Sequence, residues 1–245
     1  MSEAMKSPLN LTEPLKGLAF PEVCQVCGET WAGAVDGFAC RTCRSNIFKS
    51  TPPWCEQCGL PFEGAAGDAV TCKNCHEADW QFESARSMMS ARGLVREVIH
   101  RYKYNRHEFF EPLMIQWLFG CGRLFLENSQ CVVPVPLHPL KERDRGFNQA
   151  ERLAKGVAEH LNLPMESRWL RRVKFTETQT NLSRKERMSN MRNAFEASER
   201  MTFSRVLLVD DVMTTGATAS ACAAALRRAG VQTVNVLTLA RGMPV

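Results

Sequence analysis

Residues 205–218 read Arg-Val-Leu-Leu-Val-Asp-Asp-Val-Met-Thr-Thr-Gly-Ala-Thr. The four apolar residues before the acid pair predict a buried parallel strand whose carboxyl end lies at Asp210. The alanine-rich stretch after the glycine, residues 217–229, predicts a helix, and Gly230 suits its C-terminal cap. The order strand, acid pair, small-residue loop and helix indicates an α/β domain that binds an anionic ligand at this loop.

The same stretch excludes two other nucleotide-binding loops. A Walker-type loop requires Gly-Lys-Ser or Gly-Lys-Thr, and a dinucleotide-binding loop requires three glycines, whereas residues 205–218 contain Gly216 alone. Gly216 lets the backbone approach a phosphate without a Cβ. Because two adjacent carboxylates are costly to bury unpaired, we expect Asp210 and Asp211 to face hydroxyl groups or a cation.

Residues 206–218 closely resemble the 5-phosphoribosyl-1-pyrophosphate (PRPP) motif of type I phosphoribosyltransferases. The resemblance implies an open, mainly parallel sheet flanked by helices. It implies that Asp210 and Asp211 accept hydrogen bonds from the ribose hydroxyls and hold the waters of Mg²⁺. It also implies a loop for the 5′-phosphate, made of Thr214, Thr215, Gly216, Ala217 and Thr218.

A second stretch of sequence indicates which group of phosphoribosyltransferase-like proteins the chain resembles. A short strand and a proline-held loop are predicted for residues 131–138, which read Cys-Val-Val-Pro-Val-Pro-Leu-His. A helix that ends near His160 is predicted after residues 141–149, which read Lys-Glu-Arg-Asp-Arg-Gly-Phe-Asn-Gln. The Val-Pro-x-Pro and Arg-Gly-Phe-Asn-Gln sequences resemble the ComF family, and the resemblance covers nearly the whole chain from about Leu18. ComF members are associated with natural competence, which implies a link to DNA uptake.

The transferase resemblance implies further ligand contacts. In a type I transferase the loop after such a strand holds pyrophosphate, which implicates Pro136, Leu137 and His138. An edge strand kept short by prolines is the alternative interpretation. Arg143 and Arg145, near the predicted helix start, are expected to take up the charge that develops on the leaving pyrophosphate.

Residues 168–192 contain eight Arg or Lys residues against two acids. Such a polar, basic stretch predicts either a lid over the ligand or a solvated run of charge. Gln179, Arg187 and Asn190 stand at positions typical of ComF proteins, and the resemblance therefore favours a lid that closes over PRPP.

Residues 86–119 are predicted to be mostly helical, with a basic stripe on one face. Tyr102 and Tyr104 flank Lys103 in this segment. We favour a position at the edge of the core for the tyrosines over a role in stacking on nucleic-acid bases.

Eight cysteines form four Cys-x-x-Cys pairs, a spacing that suits tetrahedral zinc sites. A disulfide framework is disfavoured because a secretory signal is lacking, and a redox motif is disfavoured because the pairs repeat. A repeated Cys-x-x-Cys-Gly at residues 24–28 and 55–59 favours two sequential sites over a cross-braced arrangement. The predicted zinc ligands are Cys24, Cys27, Cys40 and Cys43 for one site and Cys55, Cys58, Cys72 and Cys75 for the other.

The chain of 245 residues is predicted to comprise a leader (1–20), a double zinc-ribbon module (21–78) and a phosphoribosyltransferase-like domain (79–245). Apolar runs are too short to insert into a membrane and no secretory signal precedes the module, so a cytoplasmic location is expected. Two zinc ions with four thiolates each would lower the formal net charge of +5 to about +1. Any attraction for anions must then come from local clusters of basic residues.

Three functions fit these features. The first is transfer of a phosphoribosyl group from PRPP, although nothing marks an acceptor-base pocket and the chain ends five residues after the last predicted strand, Thr233–Ala240. The second, implied by the ComF resemblance, is a competence factor that binds single-stranded DNA and has a DNA-uptake helicase or other competence proteins as partners. The third is a PRPP-sensing regulator without turnover. The favoured combination is binding of PRPP, or another phosphorylated ribose, with Mg²⁺ in a protein linked to DNA uptake.

Overall fold

The computed structural model of the protein describes residues 22–62, 71–76, 78–119, 126, 128–175, 184–199 and 201–242. Six strands run through these residues: β1 (Ser84–Ser90), β2 (Cys131–Pro134), β3 (Leu170–Arg172), β4 (Phe195–Ala197), β5 (Arg205–Met213) and β6 (Thr233–Arg241). The helices among them are α1 (Arg41–Ser45), α2 (Lys73–His76), α3 (Gly93–Tyr104), α4 (Glu111–Leu118), α5 (Pro139–Arg145), α6 (Gln149–Leu161), α7 (Arg184–Met191) and α8 (Ala217–Arg228).

A parallel sheet with the strand order β1-β6-β5-β2 forms the centre of the fold. Alternate residues of β5 enter two separate cores: Leu207 and Val209 pack with α3, α4 and α6, whereas Val206 and Leu208 pack with α8. Helices therefore cover both faces, which explains why β5 is an uninterrupted apolar run. The predicted fold, an open and mainly parallel sheet flanked by helices, is confirmed.

The end of β5 differs from the prediction. The strand does not stop at Asp210 but continues to Met213, so that the acid pair lies within it. The reason is that β6 runs beside β5 over this length and pairs Asp210 with Thr238 and Met213 with Arg241. Acidic residues, which usually mark a strand end, are here held in register by the neighbouring strand.

The helical prediction for residues 86–119 is wrong at its start. Residues 86–90 belong to β1, and helix begins only at Gly93. The segment Ser-Ala-Arg-Ser-Met-Met-Ser has few residues that favour strands, and its extended backbone is stabilised by pairing with β6 from Ser84 to Ser90. This long-range pairing outweighs the local preference.

The cysteine-rich module adds to the edge of the sheet at β1. Ser50 N donates to Met88 O (2.9 Å) and Ser90 N donates to Phe48 O (2.7 Å). Further along, Ala85 N donates to Gln57 O at 2.7 Å. The module is thus joined to the transferase-like sheet through backbone hydrogen bonds. Among the described residues, no helix has the length and apolar character needed to cross a membrane.

Candidate functional site

The acid pair lies near the carboxyl end of β5, where ligands of open α/β sheets bind. Asp211 is buried, and its backbone N–H donates to Asp210 Oδ1 at 2.8 Å. Two side chains from the preceding helices reach Asp211. Lys103 of α3 forms an ion pair with its carboxylate, and Gln149, the first residue of α6, donates from Nε2 to Asp211 Oδ1 at 3.3 Å.

The two acids have opposite protonation preferences. Burial, followed by the negative charge of Asp211, raises the pKa of Asp210 well above its usual range. Burial also opposes ionisation of Asp211, but the charge of Lys103 and the hydrogen bonds to the carboxylate lower its pKa overall. The negative charge of the pair therefore resides mainly on Asp211, and Asp210 retains its proton more readily.

A second cation, Arg172 of β3, approaches the acid pair. Burial lowers the pKa of the Arg172 guanidinium, and Asp210 is among the groups whose charge opposes this shift. The guanidinium also lies over the ring of Phe195, 5.5 Å from its centroid. Two cations from different elements thus act on the acid pair: Lys103 of α3 through an ion pair with Asp211, and Arg172 of β3 through its charge interaction with Asp210.

The roles of Lys103 and Arg172 are not evident from the sequence. Lys103 is one of the basic residues of the predicted stripe, and Arg172 is one of eight basic residues in 168–192. A lysine between two tyrosines carries no local signal of a distant carboxylate. Of the tyrosines, Tyr102 is fully buried and donates to Glu111 Oε2 at 2.8 Å, as the core interpretation predicts. Tyr104 instead is 65% exposed.

The predicted phosphate loop connects β5 to α8. Gly216, at the N-terminal cap of α8, has φ +82°, a left-handed conformation that disfavours a side chain. Thr215 Oγ1 accepts a hydrogen bond from Ala217 N at 3.4 Å, whereas Thr214 is exposed and Thr218 is half-buried. The loop therefore presents the positive end of the α8 dipole close to the acid pair.

The predicted pyrophosphate loop follows β2, which is an edge strand of the sheet. Pro136, Leu137 and His138 are each half-buried, and His138 Nδ1 accepts from Leu140 N at 3.3 Å to cap α5. Because parallel strands end at the same edge, this loop and the acid pair lie on one side of the sheet.

The two predicted arginines lie in α5 rather than at the start of α6. Arg143 is exposed. Arg145 donates to Gln149 Oε1 and places its guanidinium 5.5 Å from the centroid of the Tyr104 ring. A chain of contacts therefore leads from Arg145 through Gln149 to Asp211.

The predicted lid lies only partly within the described residues. Gln179 lies outside the described residues, and Arg187 and Asn190 fall in α7. The structure describes the backbone of Arg187 but not its side chain.

Two clusters of four cysteines are the candidate metal centres. In each cluster the sulfur atoms lie within 4.8 Å of one another, and all eight residues are free thiols. The clusters contain Cys24, Cys27, Cys40 and Cys43 (cluster 1) and Cys55, Cys58, Cys72 and Cys75 (cluster 2). Four convergent sulfurs fit tetrahedral zinc. The sequential pairing is confirmed, and the cross-braced and disulfide arrangements are excluded for these residues.

Comparison with known proteins finds a matching domain family for each of the two parts of the chain. Residues 15–76 match the double zinc ribbon domain family, and residues 147–243 match the phosphoribosyl transferase domain family. The chain is 29% identical to Competence protein F of Haemophilus influenzae over 83% of this chain and 97% of that protein. It is 30% identical to DNA utilization protein YhgH of Salmonella typhimurium over 91% of this chain and 99% of that protein. It is 26% identical to Competence protein ComFC of Bacillus subtilis over 84% and 85%, respectively.

Proposed function

The chain belongs to the ComF family of competence-associated proteins, and from this premise we propose that the site around Asp210 and Asp211 binds PRPP with Mg²⁺. The observation that carries the proposal is the placement of this acid pair, in which Asp211 is buried and Asp210 is half-buried, beside the left-handed turn at Gly216. The acids suit the ribose hydroxyls and a cation, and the helix N-terminus suits the 5′-phosphate.

The residues fit a magnesium ion bound together with a phosphorylated ligand. Mg²⁺ is usually held by one or two carboxylates and by substrate phosphates. Lys103 neutralises Asp211, which leaves Asp210 as the acid whose ionisation a further cation would favour. When bound, the ion would supply positive charge to the pyrophosphate. Asp210 and Asp211 would hold it and orient the ribose.

If the protein transfers a phosphoribosyl group, pyrophosphate leaves C1 of the ribose and an acceptor nitrogen forms the new bond. The burden on the protein is electrostatic, because charge develops on the leaving group and on the ribose ring. Arg145 and the lid residue Arg187 would face the pyrophosphate, and the acid pair would stabilise the positive ring. Without an acceptor, the same contacts make a PRPP sensor.

The link to DNA uptake is proposed from the relatives, which are named competence proteins and DNA utilization proteins. A cytoplasmic protein of this kind would meet incoming strands together with a DNA-uptake helicase or other competence proteins.

Single-strand DNA binding is a second candidate, favoured by a specific observation. Three exposed aromatic side chains each have a cation over the ring: Phe48 with Arg92 (3.9 Å to the centroid), Tyr104 with Arg145 (5.5 Å) and Phe175 with Lys141 (5.6 Å). Aromatic rings interleaved with cations are typical of surfaces on which successive bases stack. Phe175 contacts His138 of the predicted pyrophosphate loop, with the ring centroids 5.1 Å apart, and Tyr104 contacts Arg145. A 5′-phosphorylated strand stacked on these rings could therefore use the same phosphate loop.

The deciding experiment measures PRPP binding by thermal shift and calorimetry, with and without Mg²⁺, in wild-type protein and in Asp210→Asn/Asp211→Asn. At a hundred times its dissociation constant a ligand stabilises the native state by about 2.7 kcal/mol, which is a visible shift. We expect the shift in wild-type protein and its loss in the double variant. An equal shift in both proteins would refute the assignment. A PRPP-consumption assay with a panel of bases, beside a single-strand titration, separates transferase, sensor and DNA-binding roles.

A further inference from the structure

One tryptophan contacts both a candidate metal ligand and the phosphate loop. Trp80 is 8% exposed, and its indole Nε1 donates to Cys75 Sγ in cluster 2 at 3.1 Å. The six-membered part of the same indole packs on Gly216, where a Cβ would come within 2.8 Å of Trp80 Cη2. Because the indole is rigid, displacement of Cys75 must displace the surface against which Gly216 rests.

Neighbouring residues fix this indole in place. Phe82 stacks on Trp80 with the ring centroids 5.1 Å apart. Gln81 N donates to Ser220 Oγ, in the first turn of α8, at 3.2 Å. The segment 80–82 is therefore attached both to cluster 2 and to the helix that the phosphate loop opens.

A buried arginine provides a second connection. Arg241, the last residue of β6, is 4% exposed, and its Nε and Nη1 atoms have no hydrogen-bond partner among the described residues. The charges that act on it are those of the four cysteines of cluster 2. A buried guanidinium with two nitrogens that lack hydrogen-bond partners is costly, and a zinc ion with four thiolates carries a negative charge that would compensate Arg241.

Arg241 is in turn connected to the phosphate loop. It pairs with Met213, the residue that precedes the loop, and the next residue, Gly242, donates from its N–H to Met213 O at 2.9 Å. Gly242 also packs closely on Thr214, because a Cβ at Gly242 would lie 2.8 Å from Thr214 Cγ2. Gly216 thus rests on Trp80, which contacts cluster 2, and Thr214 rests on Gly242, which follows the arginine on which the cluster 2 thiols act.

We propose that metal-loaded cluster 2 holds the phosphate loop in its ligand-binding conformation, with Trp80 and Arg241 as positioning residues. The inference rests on the proposed PRPP function only for the identity of the ligand. It assigns the second zinc ribbon a role beyond stabilising its own fold. Occupancy of cluster 2 and binding at the loop must then be coupled reciprocally. Cluster 1 has no contact with the loop among the described residues, and its metal should be uncoupled from the ligand.

The first test compares amide hydrogen exchange of residues 214–220 in ligand-free, zinc-loaded wild-type, Trp80→Phe and Trp169→Phe proteins. Trp169 is the matched control, since it is 7% exposed in the same core but packs on Phe203. Removing the N–H donor to Cys75 should speed loop exchange, and weaken PRPP binding, by roughly fivefold, the value of one hydrogen bond. Trp169→Phe should leave loop exchange unchanged.

The second test changes Gly216, the other partner in the contact with Trp80. Gly216→Ala places a methyl group against Trp80, whereas Gly230, which also has a positive φ (+103° against +82°), has nothing within 4 Å of a new Cβ. Zinc release to a chelator is followed by native mass spectrometry, with thiol alkylation to identify the emptied cluster. We expect faster release from cluster 2 in Gly216→Ala only, and unchanged release from cluster 1 in every protein.

The results separate this inference from the proposed function. Unchanged loop exchange in Trp80→Phe together with unchanged cluster 2 release in Gly216→Ala would overturn the coupling. If both change but wild-type protein binds no PRPP, the coupling stands and the proposed ligand is wrong. Should Trp80→Phe fail to fold, release in Gly216→Ala against Gly230→Ala decides: faster release supports the coupling, and equal release refutes it.

Discussion

Lys103 forms an ion pair with Asp211 in which the lysine side chain is 18% exposed and the aspartate side chain 4% exposed. The two residues come from α3 and β5, and no ligand is needed to bring them together. One acid of the predicted pair is therefore neutralised by the protein itself. The ligand and its metal need to compensate only the other acid, Asp210.

The first prediction concerns this ion pair. Lys103→Met leaves Asp211 buried without its cation. Because breaking a buried ion pair is costly, the free energy of unfolding should fall by roughly 2–3 kcal/mol. The measurement is urea denaturation of the zinc-loaded protein. Lys155→Met is the control, because Lys155 pairs with Glu159 on the exposed face of α6, and its loss should change stability by less than about 0.5 kcal/mol. Equal stabilities for the two variants would show that Asp211 does not depend on Lys103.

The second prediction concerns pH. The raised pKa of Asp210 stabilises the folded protein below the unfolded pKa of the residue, and this contribution is lost as pH rises through the folded pKa. The lowered pKa of Asp211 acts oppositely, because its contribution is present above the unfolded pKa and is lost as pH falls through the folded value. If Mg²⁺, bound together with the anionic ligand, favours the ionised form of Asp210, Asp210 must release its proton on binding.

Calorimetry in two buffers that differ in protonation enthalpy measures this release. We expect net proton release on binding of Mg²⁺ and PRPP, and tighter binding as pH rises through the raised pKa of Asp210. Asp210→Asn should abolish the release. Identical heats in both buffers for wild-type protein would mean that Asp210 is already ionised before the ligand binds.

Local sequence was sufficient to predict the elements whose key residues lie close together in the chain. The acid pair, Gly216 and helix α8 follow one another within a few residues, and each cysteine pair has the spacing of a zinc knuckle. The contacts of the site were not predictable in this way. The ion pair between Lys103 and Asp211 depends on how a helix early in the domain packs against a strand near its end.

Two further features could not be predicted from the sequence, again because they depend on contacts between distant parts of the chain. Strand β1 has weak strand propensity and is stabilised by β6, far along the chain. The hydrogen bond from Trp80 to Cys75 joins near neighbours, but its importance arises from the packing of the indole on Gly216. In each case a parallel sheet brings together residues that local patterns cannot relate.

The third prediction concerns metal content. Purified protein should contain two zinc ions per chain, one for each cluster of four thiols. Cys58→Ser removes one ligand from cluster 2 and should leave one tightly held ion. Cys131→Ser is the control, because Cys131 is equally buried in the same core but lies in β2, away from both clusters, and this variant should retain two ions. Elemental analysis gives the counts, and a single ion in wild-type protein would contradict the two-site structure.

The last prediction concerns single-stranded DNA, and it separates phosphate contacts from stacking. Helix α7 carries Arg184, Lys185 and Arg187 at the end of the predicted lid. Each contact to a phosphate of a single strand adds about −0.7 to the slope of log affinity against log salt, so changing all three to Ala should flatten the slope by about two. Tyr104→Ala should instead lower affinity by roughly tenfold with the slope unchanged, because stacking releases no counterions.

The control is Trp31→Ala, which removes an exposed ring on the first ribbon whose indole N–H donates to Glu22 at 3.1 Å. This variant should bind like wild-type protein. Fluorescence titrations at several salt concentrations give both quantities. An unchanged slope in the triple variant would exclude the lid as the phosphate contact, and an unchanged affinity in Tyr104→Ala would exclude the ring beside Arg145 as a stacking platform.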